Sequence, residues 1–299
     1  MAADVWVAAA RPRTLPAAIS PVLVGTAAAT RFVPWRMVAA LIVALAVQVA
    51  VNFANDYFDG VRGVDTEDRR GPRRAVASGL VAPQQMRRAI VVALGVAAAA
   101  GLGLSAAVGW ELLVVGALCF VAALGYSGGP RPYASAGLGE LFVFVFFGLV
   151  ATMGSAYIQD EQLRWLPAVA AVPVGLLSVA LLVINNLRDI PTDARAGKRT
   201  LAVRLGQQRT FYLYLVLINT AILCTGMVAL VALSVWPAVA FLALPLALSA
   251  QNHTAVGTHA DDPGELIAGL VATGRLQLAY GVLLAAGLAI AAAAPTMVF

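Results

Sequence analysis

Residues 37–55 read MVAALIVALAVQVAVNFAN, an apolar run with no charge that ends on Asp56. An α-helix rises about 1.5 Å per residue, so a run of this length matches the roughly 30 Å hydrocarbon thickness of a bilayer. The same pattern recurs along the chain. Uncharged runs cover 14–30, 89–110, 112–130, 141–159, 165–187, 210–260 and 276–299. Charges bound them because each charge at the bilayer centre costs about 2.5 to 3.5 kcal/mol on insertion scales. The run 210–260 is long enough to cross twice, and Trp236-Pro237 is its natural break. The expectation is an all-α polytopic membrane protein of about nine transmembrane helices, forming one domain over residues 1–299.

Composition agrees. The 299 residues are 61% hydrophobic and 12% charged, with a mean hydropathy of +0.85, whereas soluble globules carry about 25% charge. That excludes a soluble or disordered chain. Cys119 and Cys224 both lie in apolar runs and read as small buried hydrophobes.

Threading nine helices alternately sorts the basic residues onto two sides. One side takes Arg11, Arg13, Arg62, Arg69, Arg70, Arg73, Arg74, Arg87, Arg88, Arg131, Arg188, Arg195, Lys198, Arg199, Arg204, Arg209 and Arg275; the other takes Arg31, Arg36 and Arg164. The positive-inside bias puts the first side, with the N-terminus, in the cytoplasm. It also accounts for the net charge of +5, and no basic stripe interleaved with aromatics points to nucleic acid. Arg11 and Arg13 ahead of a short apolar run also fit a cleaved signal peptide. Cleavage would leave an even helix count without improving the charge bias.

The informative polar residues sit where two runs end on the basic side. The first group is Asn52, Asn55, Asp56 and Asp59, continuing to Asp65, Glu67 and Asp68. At about 100° per residue, Asn52, Asp56 and Asp59 share one helix face. Carboxylates packed so closely repel one another unless a cation lies between them, and oxygen-only ligation favours a hard ion such as Mg²⁺. The second group is Asn185, Asn186, Arg188, Asp189 and Asp193, which repeats the Asn-x-x-x-Asp spacing of Asn52 and Asp56. Pro191 disfavours helical geometry at Ile190, so Asp193 is expected on a turn after the helix. Bases follow each group: Arg69, Arg70, Arg73 and Arg74 after the first, Arg195, Lys198 and Arg199 after the second. Two carboxylate pairs with Arg and Lys alongside suit a diphosphate, whose oxygens are bridged to carboxylates by Mg²⁺ and neutralised by the cations.

These motifs, together with Gly125 to Tyr133, Gly137 to Gly148, Ala196-Gly-Lys-Arg-Thr200 and the opening Arg11-Pro-Arg-Thr-Leu15, resemble the UbiA superfamily of intramembrane aromatic prenyltransferases. Within it, the Asn55-Asp-Tyr-Phe-Asp59 version resembles the branch acting on 1,4-dihydroxy-2-naphthoate. The chain departs from the superfamily's broadest pattern, Asn-x-x-x-Asp-x-x-x-Asp, at position 60, which is Gly. Asp59 or Asp65 can then supply the second carboxylate, and the helix face favours Asp59. The resemblance implies a helical bundle around a central cavity capped by both Asp motifs. Polyprenyl diphosphate and an aromatic acid are its implied substrates and the lipid bilayer its setting. Mg²⁺ would be held by Asp56, Asp59, Asp189, Asp193 and Asn52. The diphosphate would be bound by Asn52, Asn185, Arg73, Arg188, Lys198 and Arg199. An allylic cation would form facing Tyr126, with Tyr57 and Phe144 behind it, and attack by the naphthoate ring with loss of CO₂ would give a demethylmenaquinone.

Other polar residues carry less. His253 and His259 are expected in a loop before the last helix, where two His without a third ligand make a weak metal site. Asp261, Asp262 and Glu265 read as a solvated loop that could cover the site. Asp160, Glu161 and Arg164 fall on the opposite face. A transporter would place ionisable groups near the midplane, whereas the acids here fall at run ends. Another aromatic acceptor, 4-hydroxybenzoate or homogentisate, remains open, because no acceptor-pocket signature is readable.

Overall fold

The computed structural model describes residues 2–63 and 74–293; Asp65, Arg69, Arg70 and Arg73 lie outside that range. Among the described residues every regular element is helical. A short helix α1 (Ala2–Ala10) leads through a 3₁₀ turn (Pro12–Thr14) into α2 (Pro16–Ala27). Then come α3 (Pro34–Val61), α4 (Pro83–Val108) and α5 (Glu111–Gly125). One rod follows, made of α6 (Gly139–Val143), a π-helical stretch (Phe144–Val150) and α7 (Ala151–Asp160). After it come α8 (Trp165–Arg195), a single turn α9 (Leu201–Leu205) and α10 (Gln207–Val231). A 3₁₀ stretch (Trp236–Ala243) leads into α11 (Leu244–His259), and α12 (Pro263–Ala293) closes the chain.

Seven of these rods are long and apolar enough to cross a membrane; α2 and α5 are shorter apolar helices. The expected break inside 210–260 falls where expected, with α10 ending at Val231 and Trp236 opening the next element. Elsewhere the edges move. The first run opens with a 3₁₀ turn rather than a helix, because Pro12 and Pro16 interrupt it, and α12 starts at Pro263 and carries Arg275 within it.

Helix α8 is the axis. Of its apolar window 72% is buried, against 22% to 39% for the other long rods. Leu177, Ile184, Leu187, Tyr214, Ile218, Leu276 and Tyr280 build the main core around it. In lipid there is little hydrophobic gain from helix association, so close approach and hydrogen bonding must hold the bundle. Both are present. A Cβ on Gly148 would stand 2.7 Å from the Gly175 Cα, so α8 and the π-helical stretch cross backbone to backbone. Gln277 Nε2 donates to Ser178 Oγ at 2.7 Å, while Tyr214 pairs with Thr273 and Tyr280 with Thr225 across α10 and α12. Leu118, Val121, Leu223 and Leu230 remain outward, as lipid-facing side chains should.

Three expectations about local geometry fail. Helix α8 runs through Pro191 to Arg195, so Asp193 lies on the helix, one turn beyond Asp189. The proline's restriction on the preceding residue is a preference. The side-chain lattice of Asn185, Arg188 and Asp189 and the Thr192 hydroxyl bond to the Asp189 carbonyl hold that turn helical. His253 and His259 lie on α11 rather than in a loop. Glu265 sits in the first turn of α12 and pairs with His253 at 2.7 Å, so the segment joining α11 to α12 is a tight connection and not a cover for the site.

Candidate active site

A cavity of about 590 Å³ runs through the bundle, lined along α3 from Ala40 to Asp59. Its inner wall is apolar: Ala44, Val47, Leu104, Gly116 and Phe147 face it from four rods. Its polar wall gathers the two sequence motifs. Asn52, Asn55 and Asp59 come from α3, Asn185, Asp189 and Asp193 from α8, and Arg74 and Lys198 from the segments that follow the motifs. The two motifs therefore meet, as their shared spacing and side predicted.

The carboxylates are joined through cations. Lys198 Nζ donates to Asp59 Oδ2 at 3.0 Å and stands 3.7 Å from Asp193 Oδ1, so one ammonium bridges the two motifs. Arg74 Nη2 adds a longer contact of 3.9 Å to the same Asp59 oxygen. The turn after α8 delivers Lys198: its amide bonds the Asp193 carbonyl and Gly197 takes a φ of +73°, a conformation that favours glycine. The next residue's amide bonds Ser135 O, tying this turn to the α5–α6 connection.

Not every predicted residue points into the cavity. Arg188 is buried and grips Asp189 with two bonds of 2.7 Å while donating to Asn185 Oδ1 at 3.0 Å. It orients two cavity-lining side chains from behind. Arg199 is exposed and away from the cavity wall. Asp56 is buried and takes the backbone amides of Ala75 and Val76. Asn52 lines the cavity, yet its amide nitrogen is engaged with Ala10 O and Thr14 Oγ1 at 2.8 and 3.1 Å.

Several lining residues carry no site role in the sequence. Arg11, held with a left-handed φ of 52°, and Thr14 enter from the segment before α2. Gln48 donates to Thr14 at 3.0 Å, anchoring that segment to α3. Asn55 accepts from Ser127. Tyr126 is where expected, and it opens an aromatic column: Tyr126 meets Tyr133 edge-on at 5.5 Å, Tyr133 stacks on Phe142 at 4.1 Å, and Phe142 on Phe146 at 6.1 Å. The π-helical stretch keeps Phe146, Phe147 and Val150 on the cavity side, and such insertions recur at functional sites. Tyr57 and Phe144 do not line the cavity; Tyr57 packs on Phe58, and Phe144 on Gly175. Burial pushes the Tyr133 hydroxyl up, so it stays a neutral donor, bonded to Ala122 O at 2.7 Å.

Chemically this polar wall is an all-oxygen donor set with cations beside it. Among the described residues no three His, Cys, Asp or Glu form a ready-made metal cage. Oxygen donors of this kind suit Mg²⁺, which keeps several waters and completes its shell with substrate phosphate oxygens. The ammonium of Lys198 between two carboxylates already stands in for a cation there, so the residues fit such an ion.

The model of the UbiA prenyltransferase family matches residues 18–264. The chain belongs to the UbiA prenyltransferase family. It is 46% identical to the 1,4-dihydroxy-2-naphthoate octaprenyltransferase of Mycobacterium tuberculosis, over 95% of this chain and 96% of that one. It is 39% identical to the protein of the same name from Escherichia coli, over 83% of this chain and 84% of that one. Among solved structures, a UbiA homolog from Archaeoglobus fulgidus bound to GPP and Mg²⁺ superimposes with a TM-score of 0.62 at 15% identity, over 94% of this chain and 99% of that chain, a likeness of fold. Membership makes the protein a prenyltransferase, and its apolar helices make it an integral membrane protein.

Proposed function

We propose that this UbiA-family enzyme transfers a polyprenyl group from polyprenyl diphosphate to 1,4-dihydroxy-2-naphthoate with loss of CO₂, giving the hydroquinone form of a demethylmenaquinone. The observation that carries the reading is the bridge from Asp59 through Lys198 to Asp193 at the polar end of an apolar cavity, in a chain whose relatives carry that activity in their names. The whole chain acts as one domain. With α2 and α5 counted as crossings there are nine spans among the described residues, and the polar wall and N-terminus face the cytoplasm. The basic residues crowded at that end support this orientation.

In this reading Asp59, Asp189 and Asp193 would hold Mg²⁺, which would act as a Lewis acid on the departing diphosphate. Lys198 and Arg74 neutralise the remaining phosphate charge. The prenyl tail lies along the apolar wall, where each buried CH₂ contributes about 0.8 kcal/mol relative to water. As the C–O bond to diphosphate breaks, the Tyr126 ring faces the allylic cation, and the apolar wall keeps water from capturing it. The electron-rich acceptor ring supplies the pair for the new C–C bond; the carboxyl group leaves as CO₂ and its bonding electrons restore the ring's aromaticity.

The test is turnover by purified protein in detergent with Mg²⁺, a polyprenyl diphosphate and a panel of dihydroxynaphthoate, 4-hydroxybenzoate and homogentisate. Dihydroxynaphthoate should be prenylated and the other two should not, and activity should disappear in excess EDTA. Preferred use of 4-hydroxybenzoate or homogentisate, or full activity in EDTA, would refute the assignment.

A further inference from the structure

The two acids of the first motif have different surroundings. Asp59 meets Lys198 and Arg74 at the cavity wall. Asp56, one turn earlier, is 2% exposed and absent from that wall. Its Oδ1 accepts from the Val76 amide at 2.8 Å and its Oδ2 from the Ala75 amide at 3.0 Å. These are charge-assisted bonds to backbone, the stronger class of hydrogen bond. The turn they hold is closed by Ser78 N to Arg74 O and Val81 N to Ala75 O. Ala75, Val76 and Val81 then pack with Phe53, Ala54 and Met86 in a small core between α3 and α4.

Gly60 belongs to the same contact. A Cβ there would stand 2.8 Å from Val76 Cγ1 and 2.9 Å from Val76 Cβ, so a carboxylate at position 60 has no room. This gives a physical reason for the departure from the broad superfamily spacing: the face that would carry the later acid is covered by the turn Asp56 anchors.

We infer that Asp56 is a positioning residue rather than a metal ligand: it clamps residues 75–79 onto α3 and so presents Arg74 to Asp59 and the diphosphate. The inference rests on the proposed diphosphate chemistry for its kinetic consequence, but the clamp itself is a property of the folded chain.

The test compares Asp56→Ala, Asp56→Asn and Gly60→Ala with Asp59→Ala in the full-length protein, using two readouts. One is the Mg²⁺ concentration for half-maximal activity; the other is the rate of trypsin cleavage after Arg74 in metal-free protein. Asp56→Ala and Gly60→Ala should each lower kcat about tenfold or more. Both should keep the Mg²⁺ requirement within about twofold of wild type and speed cleavage about fivefold or more, because the turn opens locally. Asp59→Ala should raise the Mg²⁺ requirement about tenfold or more. Should Asp56→Ala fail to accumulate, Asp56→Asn, which keeps one acceptor oxygen, and Gly60→Ala carry the comparison. A Mg²⁺ shift in the Asp56 variants as large as that of Asp59→Ala overturns the inference whatever the cleavage rate, and so does unchanged cleavage. Wild-type protein inactive on every aromatic acid would instead refute the proposed function while leaving the proteolysis result to decide the clamp.

Discussion

The two ends of the bundle both bury acids, but they satisfy them differently. At one end Asp160 closes α7 and accepts from the backbone of Thr30 and Arg31, the Thr30 hydroxyl and Arg164 Nε, all at 2.9 to 3.0 Å. Gln159 takes the Val33 amide at 2.7 Å, and Arg36 reaches the Ile158 carbonyl and Glu161. That end is sealed: fixed amides hold the acid in place and close the α2–α3 connection. At the other end Asp59 and Asp193 share the ammonium of a lysine at a cavity wall. A side chain can swing away from an acid when a ligand arrives, whereas a backbone amide inside a packed turn cannot without local unfolding. Acids bound by backbone therefore hold structure, and acids bound by flexible cations are the ones a ligand can claim. Asp56 lies in the ligand motif and has the surroundings of Asp160.

Several substitutions can break this contrast. The largest effect belongs to Asp59→Asn and Asp193→Asn, which keep size and lose the charge a hard cation requires. Each should lower kcat/KM about 10³-fold, with the protein still accumulating in the membrane; near-normal turnover in both would sink the two-motif site. Next, Lys198→Ala should raise the KM for prenyl diphosphate about tenfold, with the KM for the acceptor unchanged. Arg199→Ala, altering an exposed side chain off the cavity wall, should behave like the control Arg87→Ala; an Arg199 loss equal to that of Lys198 would mean that basic residues act there by general field alone. Asp160→Asn should leave kcat within about twofold, yet lower stability by about 1 to 3 kcal/mol through its orphaned partners, read as a lower detergent Tm. Smallest is Asp65→Ala, outside the described residues, whose modest loss should be recovered by raised Mg²⁺, while a dead Asp65→Ala beside an active Asp59→Ala would reverse the choice of second ligand.

Much of this was legible in the sequence. Uncharged runs located the spans because lipid penalises charge wherever it falls, and the face shared by Asn52 and Asp59 followed from helical periodicity, since α3 does continue past Asp59 to Val61. What the pattern could not carry was tertiary. Whether Asp56 looks into the cavity or onto the amides of Ala75 and Val76 depends on where a distant turn lands. That Arg188 grips Asp189 from behind depends on its burial. The reading of Pro191 failed because a local preference yielded to side-chain bonds on the same turn. Tyr133, Phe142 and Phe146 had no individual role in the sequence, and the π-helical shift and the α5–α6 connection align them along the cavity. The sequence carried Arg11 and Thr14 in its opening motif without a role for either; their place at the cavity follows from Asn52 and Gln48, which hold that segment against α3.

The central claim is that the cavity-wall acids paired with side-chain cations form the ligand site and those held by backbone amides do not. Its most direct measurement is calorimetric titration of geranyl diphosphate into detergent-purified wild type, Asp59→Asn and Asp160→Asn, each with and without Mg²⁺. Mg²⁺-dependent binding should vanish in Asp59→Asn and persist at wild-type affinity in Asp160→Asn. Normal Mg²⁺-dependent binding in Asp59→Asn, or its loss in a folded Asp160→Asn, would contradict the account.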